Sequence, residues 1–261
     1  MSIRLTIVLA AAGMAAAAAA QADMTTPAGT QDWTGWHLGL SFGGAYGDGA
    51  ARRGDFFGPL VEADVRNGLF PDGIDDGDRG AAGGVSVGYD RRFGAFVGGI
   101  EADLSALDLD AEADFARVDP EVFPGVITAT DYRTEISGLA TLRLRGGVTA
   151  GRTLVYGTAG IAAGRVKNDF ALSLPNATAP LPASYASPDW SETGTRHGYV
   201  AGAGVERRMT DRLSLRAEAM YFDLEDVVLE GRDAAVFPGQ GIDYSFENDG
   251  YLARIGASFR F

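Results

Sequence analysis

Nine charged side chains of this sequence stand where only close pairing would tolerate them. Glu101, Asp103, Glu206 and Glu218 supply four acids; Arg143, Arg145, Arg216, Arg254 and Arg260 supply five bases. Each lies in a segment of period-two alternation, on the face opposite the apolar residues. Ile100, Ala102 and Leu104 oppose Glu101 and Asp103, and Ile136, Ala140, Leu142 and Leu144 oppose Ser137, Thr141, Arg143 and Arg145. Carboxylates and planar guanidinium groups brought onto one confined face form bidentate ion pairs. Two uses follow from such pairs: a packed ionic core that locks the interior, or a narrow conducting path through it.

Other chemistry-bearing residues give weaker signals. His37 falls on the same face as the charges, and His197 stands close in sequence to Ser191, Glu192 and Thr195. A nucleophile, a histidine and an acid are thus within reach on paper. No G-x-S-x-G elbow accompanies them, so no catalytic residue is assigned and the chain reads as a non-enzyme. Asp72, Asp75, Asp76 and Asp78 form one acidic cluster. Asp108, Asp110, Glu112 and Asp114 alternate, which places four carboxylates on one side of an extended chain. Oxygen-rich clusters can hold calcium or magnesium, but neither has EF-hand spacing. They read as a solvated, mutually repulsive surface, and no metal or cofactor is assigned.

What positions these residues is a chain of 261 residues with 37 glycines and no cysteine. Glycine inside a helix costs about 1 kcal/mol relative to alanine, so the composition disfavours a helical fold. Without cysteine there is neither a disulfide framework nor a thiolate metal site. A formal charge of −13 argues against nucleic acid as a partner, because phosphate binding needs a basic face. The first 22 residues have the three parts of a secretory signal peptide: Arg4, an apolar run over 5–20, and the small-x-small site Ala20-Gln21-Ala22 before Asp23. Residues 23–261 then form one domain, with no stretch long and apolar enough for a membrane helix.

Alternation recurs over 36–43, 84–89, 96–104, 136–145, 199–206, 213–221 and 251–261, which is a strand signature. The segment 154–163 is apolar or small on both faces, so its inner side stays unassigned. One charge, Arg207, breaks the one-face rule, and it lies at a strand end. The polar face is rich in glycine and serine, suited to a narrow interior that also holds long charged side chains. Trp33, Trp36, Tyr89, Phe93, Tyr156, Tyr221, Tyr251 and Phe261 sit near strand ends, as interfacial aromatic girdles do. Short connections (90–92, 147–152, 208–212) alternate with long ones (47–82, 106–133, 165–195, 225–247). The expected fold is all-β: an eight-stranded antiparallel up-and-down transmembrane β-barrel. Its tight turns and both termini face the periplasm, and its four long loops are external.

Several segments resemble the small outer-membrane β-barrel or porin-family proteins, similar to OmpA-type membrane domains and common in alphaproteobacteria. They are Trp33-Thr34-Gly35-Trp36-His37-Leu38-Gly39, Gly99-Ile100-Glu101-Ala102-Asp103-Leu104, Leu142-Arg143-Leu144-Arg145-Gly146, Gly202-Ala203-Gly204-Val205-Glu206 and Glu218-Ala219-Met220-Tyr221-Phe222-Asp223-Leu224. The ending Arg254-Ile255-Gly256-Ala257-Ser258-Phe259-Arg260-Phe261 resembles the assembly signal of such barrels, carried by Gly256, Phe259 and Phe261. The resemblance implies a bacterial outer-membrane location, with lipid, lipopolysaccharide and the barrel assembly machinery as partners. It also implies a structural or porin-like role. The long loops support an alternative, surface recognition of a host component, a phage or lipopolysaccharide. No peptidoglycan-binding segment follows the last strand, so a wall-tethering role is not expected.

Overall fold

The computed structural model describes residues 32–121, 124–176, 190–232 and 239–261. The signal segment 1–22, with Ala20 and Ala22, and Asp23 after it lie outside them. Eight strands follow in order: β1 (Gly35–Phe57), β2 (Gly73–Phe93), β3 (Phe96–Val118), β4 (Ile127–Ala150), β5 (Thr153–Ser173), β6 (Trp190–Arg208), β7 (Leu213–Arg232) and β8 (Gly241–Arg260). One short helix, α1 (Pro59–Arg66), sits between β1 and β2. Every strand pairs antiparallel with the next, and β8 pairs back onto β1, so the sheet closes. Closure leaves no free sheet edge around the ring, which is what an apolar surround demands.

Two of the tight connections are two-residue turns, 94–95 and 151–152, and the third spans 209–212. Gly94 (φ 65°) and Gly151 (φ 58°) occupy left-handed backbone in the β2–β3 and β4–β5 turns, where a side chain would strain the chain. At this end of the barrel the outward residues are large and apolar. Trp36, Leu38, Leu40 and Phe42 on β1 are each more than half exposed, as are Phe93, Phe96 and Leu104 on β2 and β3. Their inward neighbours are glycine, serine and the charged residues.

Further along, the pattern inverts, and this corrects the loop boundaries. The segments 47–82, 106–133, 165–195 and 225–247 read as loops, yet the strands run deep into all four. The actual connections are 58–72, 119–126, 174–189 and 233–240. Beyond the apolar belt the outer face meets water, so the polar residues turn outward: Asp108, Asp110 and Glu112 are exposed on β3. The apolar residues turn inward and build a second core of Phe70, Tyr132, Phe170, Leu229, Tyr244 and Phe246. Tyr132 meets Phe170 and Tyr244 edge-on at 5.0 and 5.2 Å between ring centres. The acidic outward residues, such as Asp108, Asp110 and Glu112, give these strand halves the composition of loops.

Three placements differ from simple alternation. A register irregularity between Ile136 and Gly138 turns Ile136 inward, where it is buried. Trp33 and Tyr156 are not girdle residues: both are buried inside the turn end, packed with Val97 and Leu154. Trp33 has Arg208 and Arg260 over its ring at 5.6 and 5.5 Å, a cation–π arrangement that holds the plug in place.

Helix α1 covers the opposite mouth. Val61 and Val65 pack on the aromatic core, Gln240 Oε1 accepts from the Leu60 and Val61 amides, and Arg66 and Asn67 donate to Glu121. Asp64 is buried on this helix with Oδ1 unpartnered. Burial, and then the charges of Asp119 and Glu121, push its carboxyl up to about 7. The docked helix therefore holds a proton that the undocked one releases. Docking is tightest below the ordinary Asp value and weakens as pH rises towards 7. Amide exchange in α1, corrected for its intrinsic pH dependence, should be slower at pH 5 than at pH 8. Asp64→Asn should flatten that difference; an unchanged pH profile in the variant would contradict the assignment.

Candidate functional site

All nine charged residues expected inside the barrel are buried there. Period-two alternation on β3, β4, β6, β7 and β8 aims them at one another across a lumen just wide enough for side chains to fill. Arg143 stands at the centre. Its two terminal nitrogens reach Glu101 and, at 2.8 Å, Glu218. Glu101 also receives Arg216 at 2.7 Å, and Glu218 receives Arg254 at 3.0 Å. Arg254 continues to Asp103 at 2.9 Å. Ser86 and Ser105 accept from Arg216 and Arg254, at 2.8 and 3.1 Å.

A second cluster lies nearer the turn end. Glu206 pairs with Arg145 and accepts from Ser214. Arg260 donates to Asp90 at 2.9 Å, and Arg145 approaches the same carboxylate at 3.6 Å while lying 3.9 Å over the Tyr156 ring. Between the two clusters stands His37, with Nε2 3.5 Å from Asp90 and Nδ1 3.8 Å from Glu101. A Cβ on Gly88 would come within 2.6 Å of the imidazole, so glycine there makes room for the ring.

Asp90 is the residue that sequence reasoning missed. The four acids first counted leave one of the five arginines without a counterpart, and Asp90, fully buried, supplies it. It was read as the start of a turn, whereas β2 continues to Phe93. Extending the Ser86, Gly88 alternation by one step would have placed it inside. Each cluster is then neutral: Glu101, Asp103 and Glu218 with Arg143, Arg216 and Arg254; Asp90 and Glu206 with Arg145 and Arg260. A buried charge left without a partner is strongly destabilising, so this balance is a condition for the barrel to close.

Above the charges the buried lining is mostly apolar, with Asn168 and Asn248 buried among it and 3.5 Å apart. Leu107, Leu109, Leu139, Val166, Phe222 and Leu252, among others, form a continuous buried layer, with the aromatic core and α1 beyond it. Of the remaining candidates, His197 faces outward in mid-strand on β6, opposite Ala163. Glu192 there is paired with Arg196. In the acidic segments Asp110 pairs with Arg133, and Asp72 with Arg53. Among the described residues no three potential metal ligands converge.

A closed antiparallel barrel with an apolar outer belt and an ion-paired lumen defines an integral outer-membrane protein of a Gram-negative bacterium. The chain belongs to the outer membrane protein beta-barrel domain family, whose profile matches residues 6–261. It is 31% identical over 212 residues to the 31 kDa outer-membrane immunogenic protein of Brucella melitensis biotype 1, covering 78% of this chain and 76% of that one. A 22 kDa outer membrane protein of Rhizobium leguminosarum bv. viciae is 29% identical over 207 residues, covering 79% and 70%. Among solved structures, the outer membrane protein OprG from Pseudomonas aeruginosa aligns with 88% of this chain and 99% of its own, at 12% identity and a TM-score of 0.48.

Replacing Arg143 by methionine leaves two buried carboxylates competing for fewer cations. It should lower stability against urea in lipid vesicles by about 3 kcal/mol or more. Adding Glu218→Gln should recover part of that loss, since the pair then leaves together. A single-variant cost below about 1 kcal/mol, the range of an exposed pair, would contradict the network.

Proposed function

We propose that the protein is a closed structural barrel of the outer membrane, non-conducting and non-enzymatic, with its tight turns and termini on the periplasmic side. The observation that carries this reading is the stack of layers in the lumen. Trp33 plugs the turn end, the neutral charge clusters follow, and two apolar layers and α1 lie above them. An ion crossing this stack would have to break buried pairs and then traverse a lining that is mostly apolar, with Asn168 and Asn248 its buried amides. Both histidines lack the geometry of a nucleophile–base pair: His37 lies between two carboxylates and His197 projects from the outer face. The outward aromatics Phe259 and Phe261 support recognition of the C-terminus, with Gly256, by the barrel assembly machinery.

A second reading, recognition of a host, phage or lipopolysaccharide surface, is favoured by the crown of strands that continues past the belt and holds its connections on a rigid base.

Electrical recording across a planar bilayer containing residues 23–261 tests the first reading. With insertion confirmed, the account expects silence. Discrete conductance steps that change on replacing Arg143 or Glu101 would overturn it in favour of a porin.

A further inference from the structure

Arg207 carries its charge on the outward face of β6, exposed and next in sequence to the buried Glu206. Its neighbours on the β7 side are apolar: it pairs across to Leu215, and Val205 with Ala217 is the next outward pair; on the β5 side it pairs with Thr153. No carboxylate reaches it among the described residues. By contrast Arg66, Arg133 and Arg196, at the far end of the barrel, each meet an acid. An arginine on a lipid-facing surface must extend its head to the interface or find an anion.

Directly beside it, β6, β7, β8 and β1 leave a groove of about 570 Å³. Leu40, Phe42, Leu215 and Ile255 are its walls, and Ala217 and Ala257 its floor. The cross-strand pairs Leu215–Ala257 and Leu40–Ala257 make these residues one continuous patch. Small side chains on a lipid-facing surface let a neighbour approach the backbone closely. Arg207 stands at the turn-end margin of this groove, on the side of the exposed aromatics Phe259 and Phe261. Arg91 and Arg212 are also exposed at this end.

We propose that Arg207 and this groove bind one anionic phospholipid from the leaflet at the turn end. The guanidinium takes the phosphate in a bidentate contact, and an acyl chain lies along the alanine floor. The leaflet assignment rests on the reading that the turns are periplasmic; the binding chemistry does not.

Native mass spectrometry of the refolded mature chain in a non-ionic detergent tests the site, using phosphatidylglycerol and phosphatidylcholine with identical acyl chains. One phosphatidylglycerol adduct should be preferred by about tenfold, as a charged hydrogen bond confers. Arg207→Gln should bring the two lipids to parity, Arg207→Lys should keep part of the preference, and Ala257→Phe should weaken both adducts. Unboiled gel mobility identifies variants that still form the barrel. Equal adducts of both lipids on the parent chain, or an undiminished preference in Arg207→Gln, would overturn the site. The leaflet is tested separately in intact cells, since the chain has no cysteine of its own. A membrane-impermeant maleimide should label Val118→Cys and spare Met209→Cys. Labelling of Met209→Cys would overturn the leaflet assignment whatever the lipid result.

Discussion

A lumen too narrow to hold bulk water cannot hold an unbalanced charge, and the rest of the barrel follows from that constraint. Arg143, shared between Glu101 and Glu218, is its clearest expression. One guanidinium binds two carboxylates from different strands, and each carboxylate binds a second arginine in turn. The pairs span the barrel from β3 and β4 to β7 and β8 and so hold opposite walls at a fixed distance. Serine and glycine on the inner face are the counterpart of this arrangement. Ser86 and Ser105 accept from Arg216 and Arg254, and Gly88 leaves the space that His37 occupies. Replacing such an array with apolar residues of the same shape need not reduce stability; what the charges impose is a specific register.

The second organising fact is where the alternation inverts. A strand passing from lipid into water keeps its pleat but changes which face must be apolar. On β8, Ile255 faces lipid and Arg254 the lumen, whereas farther along Phe246 and Tyr244 face inward. On β7 the inner side is already apolar at Met220, Phe222 and Leu224; a register shift between Leu224 and Val227 then changes parity, so that Val227 and Leu229 take the inner positions. The barrel is thus two cores in series, an ionic one inside the membrane and an aromatic one outside it. Helix α1 closes the second, with Val61 and Val65 packed on it and Asp64 buried on the helix.

This explains what was legible in the sequence. Strand number, closure and the nine inward charges follow from period-two alternation, because lipid on one side forces apolar residues there. The outer halves of the strands were hidden for the same reason: no lipid faces them, and acidic outward residues such as Asp108 and Asp110 look like loop composition. Tyr156 and Trp33 resembled girdle aromatics by position, but the inner side of β5 carries no polar residue besides Thr158 over 154–163 to reveal its parity. Ile136 required knowledge of a bulge that its own residues do not announce. Asp90 was recoverable from parity and charge balance together. Arg207 stood out from the start as a charge on the wrong face, and only the fold shows the apolar groove beside it.

The lumen arginines stand in a buried, ion-paired network. Nitrogen-detected nuclear magnetic resonance of arginine side chains in micelles tests it directly. The account expects the two terminal nitrogens of Arg143 to give separate signals, with rotation hindered by Glu101 and Glu218 and little exchange with water, while Arg91 and Arg212 average and exchange freely. A single averaged, rapidly exchanging signal from Arg143 would mean a hydrated, mobile lumen and would contradict the account.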